Sequence, residues 1–119
     1  MCKVLIEQGA DIHAKNENGN TALHLSAYNG HVDCVKLLLE NGGDLNAQDN
    51  DGYTALILSA CKGHLKCVQY LAQQGADRNI QDMHRYTALM LSDENGHKDI
   101  VKFLVAQIPM IQVRMKTPL

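Results

Sequence analysis

The amino-acid sequence predicts an all-α fold in which a helix–loop–helix unit repeats and stacks into a helical solenoid. The first observation is a constant step of 33 residues that relates residues of the same type. The second is that a Thr precedes each apolar run and a Gly follows it, as helix starts and stops require. The six sets that share the step are Gly9, Gly42, Gly75; Thr21, Thr54, Thr87; Ala22, Ala55, Ala88; Leu23, Leu56, Leu89; Gly30, Gly63, Gly96; and His31, His64, His97. Such a unit cannot bury its own apolar face, so a step of this length is typical of a repeat array.

The first segment, residues 1–15, aligns with the second half of a unit. The run from Val4 to Glu7 matches the run from Leu37 to Glu40, and Gly9 matches Gly42. We therefore expect the chain to begin inside a helix whose partner helix is missing. The missing helix would leave an apolar face uncovered at this end, where repeat proteins normally carry a polar cap.

The first complete unit is predicted over residues 16–48. Thr21 is suited to cap a helix because its hydroxyl can accept from a backbone N–H of the first turn. Gly30 should end this helix, and a second one is expected from about Val32 to Asn41. The apolar positions of the two helices are Ala22, Leu23, Leu25 and Ala27, then Cys34, Val35, Leu37 and Leu38. The polar stretch from Asn46 leads through Gly52 into the next unit as a turn or short hairpin.

Two further units follow. Residues 49–81 repeat the plan, with Thr54 as the cap and Gly63 and Gly75 as the stops. Residues 82–107 form a degenerate last unit, in which Arg85 replaces the turn glycine and Asp93 replaces a small packing residue. A buried, unpartnered Asp would be costly, so this substitution favours an array that ends here. Residues 108–119 match no unit and are expected to be an extended or disordered tail.

Composition and charge exclude several classes of partner. Eleven Lys and Arg against 13 Asp and Glu give a net charge of −2, so no basic field is available for nucleic acid. No apolar run approaches the roughly 20 residues of a membrane span. No signal peptide is expected, since only three apolar residues separate Lys3 from Glu7.

The four cysteines have no metal or disulfide spacing. Cys34 and Cys67 lie one step apart, where the third unit has Ile100, which predicts small buried apolar side chains. Free buried thiols favour a reducing compartment, so we expect an intracellular protein of the cytoplasm or nucleus.

The 33-residue step and its motifs resemble the ankyrin repeat. The motifs are Thr-Ala-Leu-His at 21–24, Gly-His at 30–31, Val-x-Leu-Leu-Leu at 35–39 and Gly-Ala-Asp at 75–77. The resemblance covers residues 1 to about 107, although the usual Pro after the capping Thr is Ala22, Ala55 and Ala88 here. It implies helical units joined by β-hairpin-like fingers, with a concave face that recognises protein partners without catalysis.

The resemblance also implies which positions contact a partner. Three of the four tyrosines fall at these positions, and tyrosine is frequent at binding hot spots. The predicted contact residues are Glu17, Asn18, Asn20, Tyr28, Asn29, Asn50, Asp51, Tyr53, Cys61, Lys62, Met83, His84, Tyr86, Glu94 and Asn95. The acidic and amide groups among them favour a partner segment with donors or positive charge.

Catalytic and metal sites are not expected. His31, His64 and His97 would lie one unit width apart, roughly 8–10 Å, whereas zinc ligands converge to about 2 Å from the metal. The resemblance assigns these histidines to hydrogen bonds between loops. Cys61 with His64 is the best nucleophile pair, but Gly63 separates them and no third orienting group is evident.

The sequence thus predicts a non-enzymatic protein-binding module with no cofactor, metal or small-molecule substrate. The alternative is a regulatory or targeting segment of a larger enzyme, channel or transcription regulator. A third possibility is a structural fragment without a partner. The sequence does not identify the partner or the oligomeric state.

Overall fold

The computed structural model describes residues 11–106, which form six α-helices and no β-strand. The helices are α1 Ala22–Tyr28, α2 Val32–Glu40, α3 Ala55–Lys62, α4 Leu65–Gln73, α5 Ala88–Glu94 and α6 Lys98–Ala106. The predicted all-α repeat fold is confirmed. The half-unit at residues 1–15 lies largely outside the described residues, and the tail at 108–119 lies wholly outside them. The unit boundaries at 16–48, 49–81 and 82–107 stay predictions.

The helices stabilise one another by stacking in two rows. α1 packs on α3 and α3 on α5, while α2 packs on α4 and α4 on α6. Each unit also packs its own two helices together. Helices of 7–9 residues are too short to be stable alone, because isolated helices below about 12 residues are marginal in water. Their stability therefore comes from the apolar layer between the rows.

The core repeats with the sequence. Val35 and Val68, one step apart, are each 0% exposed, and in the third unit the residue at 0% exposure is Ile100, which aligns with Cys34 and Cys67. Leu38, Leu71 and Leu104 form a second such set, at most 3% exposed. Burying a side chain of this size contributes about 1.5–3 kcal/mol. Cys67, 1% exposed, belongs to the same layer, as predicted.

Helix starts follow the predicted chemistry. The hydroxyls of Thr54 and Thr87 accept from the backbone N–H three residues later, at 3.2 and 3.3 Å. Thr21 and His24 cap each other, because the His24 ring Nδ1 accepts from the Thr21 N–H at 3.1 Å. α2 ends at Glu40, with Asn41 as its cap, one residue earlier than predicted.

Three fingers, at residues 16–20, 49–53 and 82–86, precede the odd-numbered helices. Each starts with a side-chain oxygen, from Asn16, Asp49 or Asp82, that accepts the backbone N–H groups two and four residues later. The same three residues donate their own N–H to the last carbonyl of the finger. The result is a closed, hairpin-like turn made by one polar residue.

Hydrogen bonds hold neighbouring fingers in register. The Asn50 N–H donates to the Asn18 carbonyl at 3.0 Å, and the Met83 N–H donates to the Asp51 carbonyl at 2.8 Å. At the finger bases, the Gln48 side chain donates to the carbonyl of Gln81, 33 residues away, at 3.1 Å. The fingers therefore form one continuous surface beside the helices.

Three sequence expectations require correction. Ala22 of α1 is exposed, although its counterparts Ala55 and Ala88 are at most 1% exposed, and Leu25 is exposed, although its counterpart Leu58 is half-buried and Leu91 is 9% exposed. The reason is that among the described residues no preceding first helix packs on α1. Cys34 is half-buried and disulfide-bonded, so it is not the buried free thiol that its alignment with Cys67 predicted.

The third unit accommodates its departures from the pattern. Arg85 adopts the positive φ of the glycines it replaces, with φ 69°. Asp93 is exposed, since no described unit covers that side of α5. The Arg78 side chain donates to the Leu104 carbonyl at 3.1 Å, which places a cation at the last turn of α6.

Candidate functional site

The predicted contact residues lie on the fingers and at the ends of α1, α3 and α5. We call this surface the finger face and define it by those fifteen residues. Twelve of them are exposed, and Asn20, Tyr53 and Cys61 are half-buried. Their role in binding stays a prediction.

A cavity of about 260 Å³ opens between the first two fingers and the helices α1 and α3. Finger 1 and finger 2 form one side of it, and α1 and α3 form the other. Five of the predicted contact residues lie around this cavity. Its lining residues are Asn18, Asn20, His24, Leu25, Tyr28, Asp49, Asp51, Tyr53 and Leu58. The structure therefore brings residues of two units together in one recess.

Three predicted contact residues also have roles within the fold. The side-chain amides of Asn29 and Asn95 donate to the carbonyls of Leu25 and Leu91, both at 2.9 Å, and so cap α1 and α5. The Asn50 side chain donates to the Glu17 carbonyl at 3.0 Å and joins two fingers. Their side-chain N–H groups are thus engaged within the protein.

Negative charge concentrates around Tyr53. Burial raises the pKa of its hydroxyl above the usual value, and Asp82, Cys61, Asp51 and Asp49 raise it further. Asp82 is only 6% exposed, and its Oδ2 is buried without a hydrogen-bond partner.

A cation already lies against an aromatic ring of the finger face. The Lys62 Nζ lies 4.8 Å from the centroid of the Tyr28 ring, within the range of a cation–π contact. In finger 3, the rings of His84 and Tyr86 are tilted relative to each other, with their centroids 6.4 Å apart.

The histidines that recur every 33 residues have a structural role. The His64 Nε2 lies 2.9 Å from the Tyr28 carbonyl, and the His97 Nε2 lies 2.9 Å from the Cys61 carbonyl. Since a carbonyl only accepts, Nε2 carries the proton in both. The predicted loop-tying role is confirmed for these two residues, and His31 is exposed.

Cys61 and His64, the best nucleophile pair in the sequence, each contact a different group. The His64 ring faces the Tyr28 carbonyl, while the Cys61 Sγ accepts from the Asn95 side chain at 3.4 Å. Burial raises the pKa of the Cys67 thiol. Within residues 11–106, no three His, Cys, Asp or Glu side chains are grouped as metal ligands would be.

Sequence reasoning missed Leu25, Leu58 and Asp49, which line the cavity, and Met90, which is 49% exposed. Leu25, at 46% exposure, occupies a position whose third-unit counterpart, Leu91, is only 9% exposed. Periodicity assigns equivalent positions the same role, so it could not single out Leu25.

None of the helices among residues 11–106 has the length and apolarity to cross a membrane.

Stacked helix pairs, one cap and one finger per unit, and a recess between fingers and first helices define a helical repeat protein of the solenoid class. The chain belongs to the ankyrin repeat family. The family model for ankyrin repeats in three copies matches residues 1–82, and the single ankyrin repeat model matches residues 84–112. Members of this family typically mediate protein–protein interactions and are typically not enzymes.

Two curated relatives resemble a short part of the chain. They are the Notch-regulated ankyrin repeat-containing proteins of Xenopus tropicalis and Xenopus laevis. Each is 49% identical over 35 residues, which is 29% of this chain and 31% of the relative. The match therefore spans about one unit and less than a third of either relative.

Proposed function

We propose that this chain is a non-enzymatic module that holds a partner protein on its finger face. The observation that carries the proposal is where large apolar side chains are exposed. Among the described residues, five of six such side chains lie on fingers or first helices, and only Val105 lies on a second helix. The five are Leu25, Tyr28, Met83, Tyr86 and Met90. Three of them, Tyr28, Met83 and Tyr86, belong to the finger face, and exposed apolar side chains gathered on one surface mark an interaction site more often than scattered ones.

The geometry of the finger face supports the same function. Hydrogen bonds between fingers fix the backbone before any partner arrives, so little ordering cost is expected on binding. Tyr28 and Tyr86, 40% and 41% exposed, offer large rings with few torsions to restrict. The carboxylates of fingers 2 and 3 favour a partner segment with positive charge or hydrogen-bond donors.

The test compares two sets of apolar deletions in the full chain. Tyr28→Ser with Tyr86→Ser removes two rings from the finger face, and Val105→Ser removes an exposed apolar side chain from α6. Each tagged chain is used to capture proteins from cell extract, with quantification by mass spectrometry. We expect specific proteins to be retained by the wild type and by Val105→Ser, and reduced at least about tenfold by the double variant. Equal retention by all three chains would contradict the proposal.

The alternative, that the chain is a regulatory or targeting segment of a larger protein, has one supporting observation. Ala22 and Leu25 are exposed at positions that a preceding first helix covers in the next two units. Sequencing the transcript upstream of Met1 tests it. An open reading frame that continues with another ankyrin first helix would support this alternative, and a stop codon would oppose it.

We further propose a cytoplasmic or nuclear location. The free thiols of Cys61 and Cys67 suit a reducing compartment, whereas the disulfide at Cys34 favours an oxidising one. Imaging a tagged full chain decides between them. Signal confined to the secretory pathway would overturn the proposal.

A further inference from the structure

We propose that the cavity between fingers 1 and 2 and the helices α1 and α3 is a pocket for an arginine side chain of an extended, basic segment in the partner. This inference rests on the proposed binding function and adds the chemistry of recognition. It is drawn from the shape of the cavity, from the hydrogen-bonding groups around it, and from the charges next to it.

The walls of the cavity suit the apolar stem of an arginine. Leu25 and Leu58, from neighbouring first helices, supply aliphatic surface, and the Tyr28 and Tyr53 side chains supply rings. The cavity volume of about 260 Å³ is large enough for one long side chain. The three methylene groups of arginine commonly pack along such a surface while the charged end reaches polar groups.

The polar lining is rich in acceptors. Asp49 and Asp51 contribute carboxylates. Asn20 also lines the cavity, and its Oδ1 is buried without a hydrogen-bond partner. A guanidinium carries five N–H donors in a plane and no acceptor, so it can serve several acceptors at once. An acidic partner group would instead meet like charge from Asp49 and Asp51.

The aromatic lining is already placed against a cation. The Lys62 Nζ lies 4.8 Å from the centroid of the Tyr28 ring, so this ring already takes part in one cation–π contact. A guanidinium stacks on tyrosine more readily than an ammonium does, because it is planar and weakly hydrated. An incoming arginine would therefore compete with Lys62 for the ring.

The electrostatic environment points the same way. Burial raises the pKa of the Tyr53 hydroxyl, and Asp82, Cys61, Asp51 and Asp49 raise it further. Asp51 and Asp49 line the cavity itself, so a cation that enters it would be attracted by both carboxylates.

The test is an NMR titration of the isotope-labelled full chain with three capped peptides. The probes are acetyl-Gly-Arg-Gly-amide, its citrulline counterpart, which is neutral and nearly isosteric, and its lysine counterpart. We expect saturable shifts at Leu25, Leu58 and Tyr28 with the arginine peptide. The citrulline peptide should bind at least about fivefold more weakly, and the lysine peptide should be intermediate.

Variants separate this pocket from general charge attraction. Asp51→Asn should weaken the arginine peptide about two- to fivefold, the range of an exposed charge pair. Glu40→Gln removes the same charge from the exposed end of α2, outside the cavity, and should change nothing. Lys62→Ala should strengthen binding about two- to fivefold, because it frees the Tyr28 ring and removes a like charge. All three residues are exposed, so folding should be retained.

Each outcome bears on one proposal or the other. Equal shifts with arginine and citrulline, shifts away from the cavity, or weaker binding by Lys62→Ala would overturn the arginine pocket. If proteins are still captured through the finger face in that case, the proposed function stands without the pocket. If the arginine peptide binds as expected but no protein is captured, the pocket stands and the proposed function fails.

Discussion

At the scale of single residues, one backbone position decides how closely two fingers can approach. Gly52 lies in finger 2 at φ 85°, and a Cβ at this position would be 2.9 Å from the Asp82 Cα in finger 3. Glycine is needed there both for its conformation and for the space it leaves. Arg85, at the equivalent place in finger 3, has a similar φ, and no described finger lies beyond it. A side chain is tolerated there because only the conformational requirement remains.

This difference predicts unequal costs for two glycine substitutions. Gly75 has φ 91° and open space around it, so Gly75→Ala should lower the free energy of unfolding by about 1 kcal/mol, the cost of a left-handed conformation. Gly52→Ala adds a clash with backbone atoms and should cost about 3 kcal/mol in total. Urea unfolding followed by circular dichroism measures both. Equal losses would mean that finger spacing is not limited at Gly52.

The same residues show what sequence reasoning could and could not provide. The step of 33 identified the turn position of Gly19, Gly52 and Arg85, and the resemblance identified the fingers that contain it. The cavity could not be predicted, because it depends on how far finger 2 stands from α1 in space. The disulfide at Cys34 was missed for a similar reason, since alignment with Cys67 compares positions within units and ignores other neighbours.

At the scale of helices and loops, His24 joins two successive units. Its Nδ1 accepts from the Thr21 N–H, and its Nε2 lies 2.9 Å from the Ala47 carbonyl and 3.0 Å from the Tyr53 carbonyl. His24 is 1% exposed, so its ring nitrogens depend on these protein partners for hydrogen bonds. One side chain therefore caps α1 and holds both ends of the segment that leads through finger 2.

Replacing His24 with isoleucine, the residue present at position 57, isolates this polar role. The α1 position should accept the isoleucine shape, because Ile57 is buried at the equivalent place. We expect the free energy of unfolding to fall by about 1–2 kcal/mol, since carbonyls of Ala47 and Tyr53 lose a donor. Met90→Ile, at the exposed equivalent position in α5, is the control and should change stability by less than about 0.5 kcal/mol. A stabilised His24→Ile chain would show that burying an apolar side chain outweighs these hydrogen bonds.

At the scale of the whole molecule, the described contacts run between adjacent units. α3 and α4 are packed on both sides, whereas α1 and α2 have their described partners on one side and so do α5 and α6. The 33-residue spacing of the helices could be predicted from the sequence. The sequence did not show which helix faces no neighbouring unit covers. Leu25 and Met90 are exposed because each lacks the neighbour that covers its counterparts in other units. The exposed apolar surface on the first helices is thus partly a property of the ends of the described stack.

Nearest-neighbour packing predicts a gradient of local stability. In a stack of this kind, stability is the sum of unit terms and interface terms, so the middle unit should open last. Amide hydrogen exchange should therefore be slowest in α3 and α4 and faster towards α1 and α6.

Two core deletions, one in the middle unit and one in the last, test this nearest-neighbour description of stability. Leu71 in α4 and Leu104 in α6 are 0% and 3% exposed, and a leucine-to-alanine change at such a site costs about 2–5 kcal/mol. Leu71→Ala should accelerate exchange in all six helices, because both interfaces of the middle unit are weakened. Leu104→Ala should accelerate exchange in α5 and α6 while α1 and α2 keep most of their protection. If both variants accelerate exchange equally throughout residues 11–106, the chain opens as a single cooperative unit, and the finger face would then be assembled or lost as a whole.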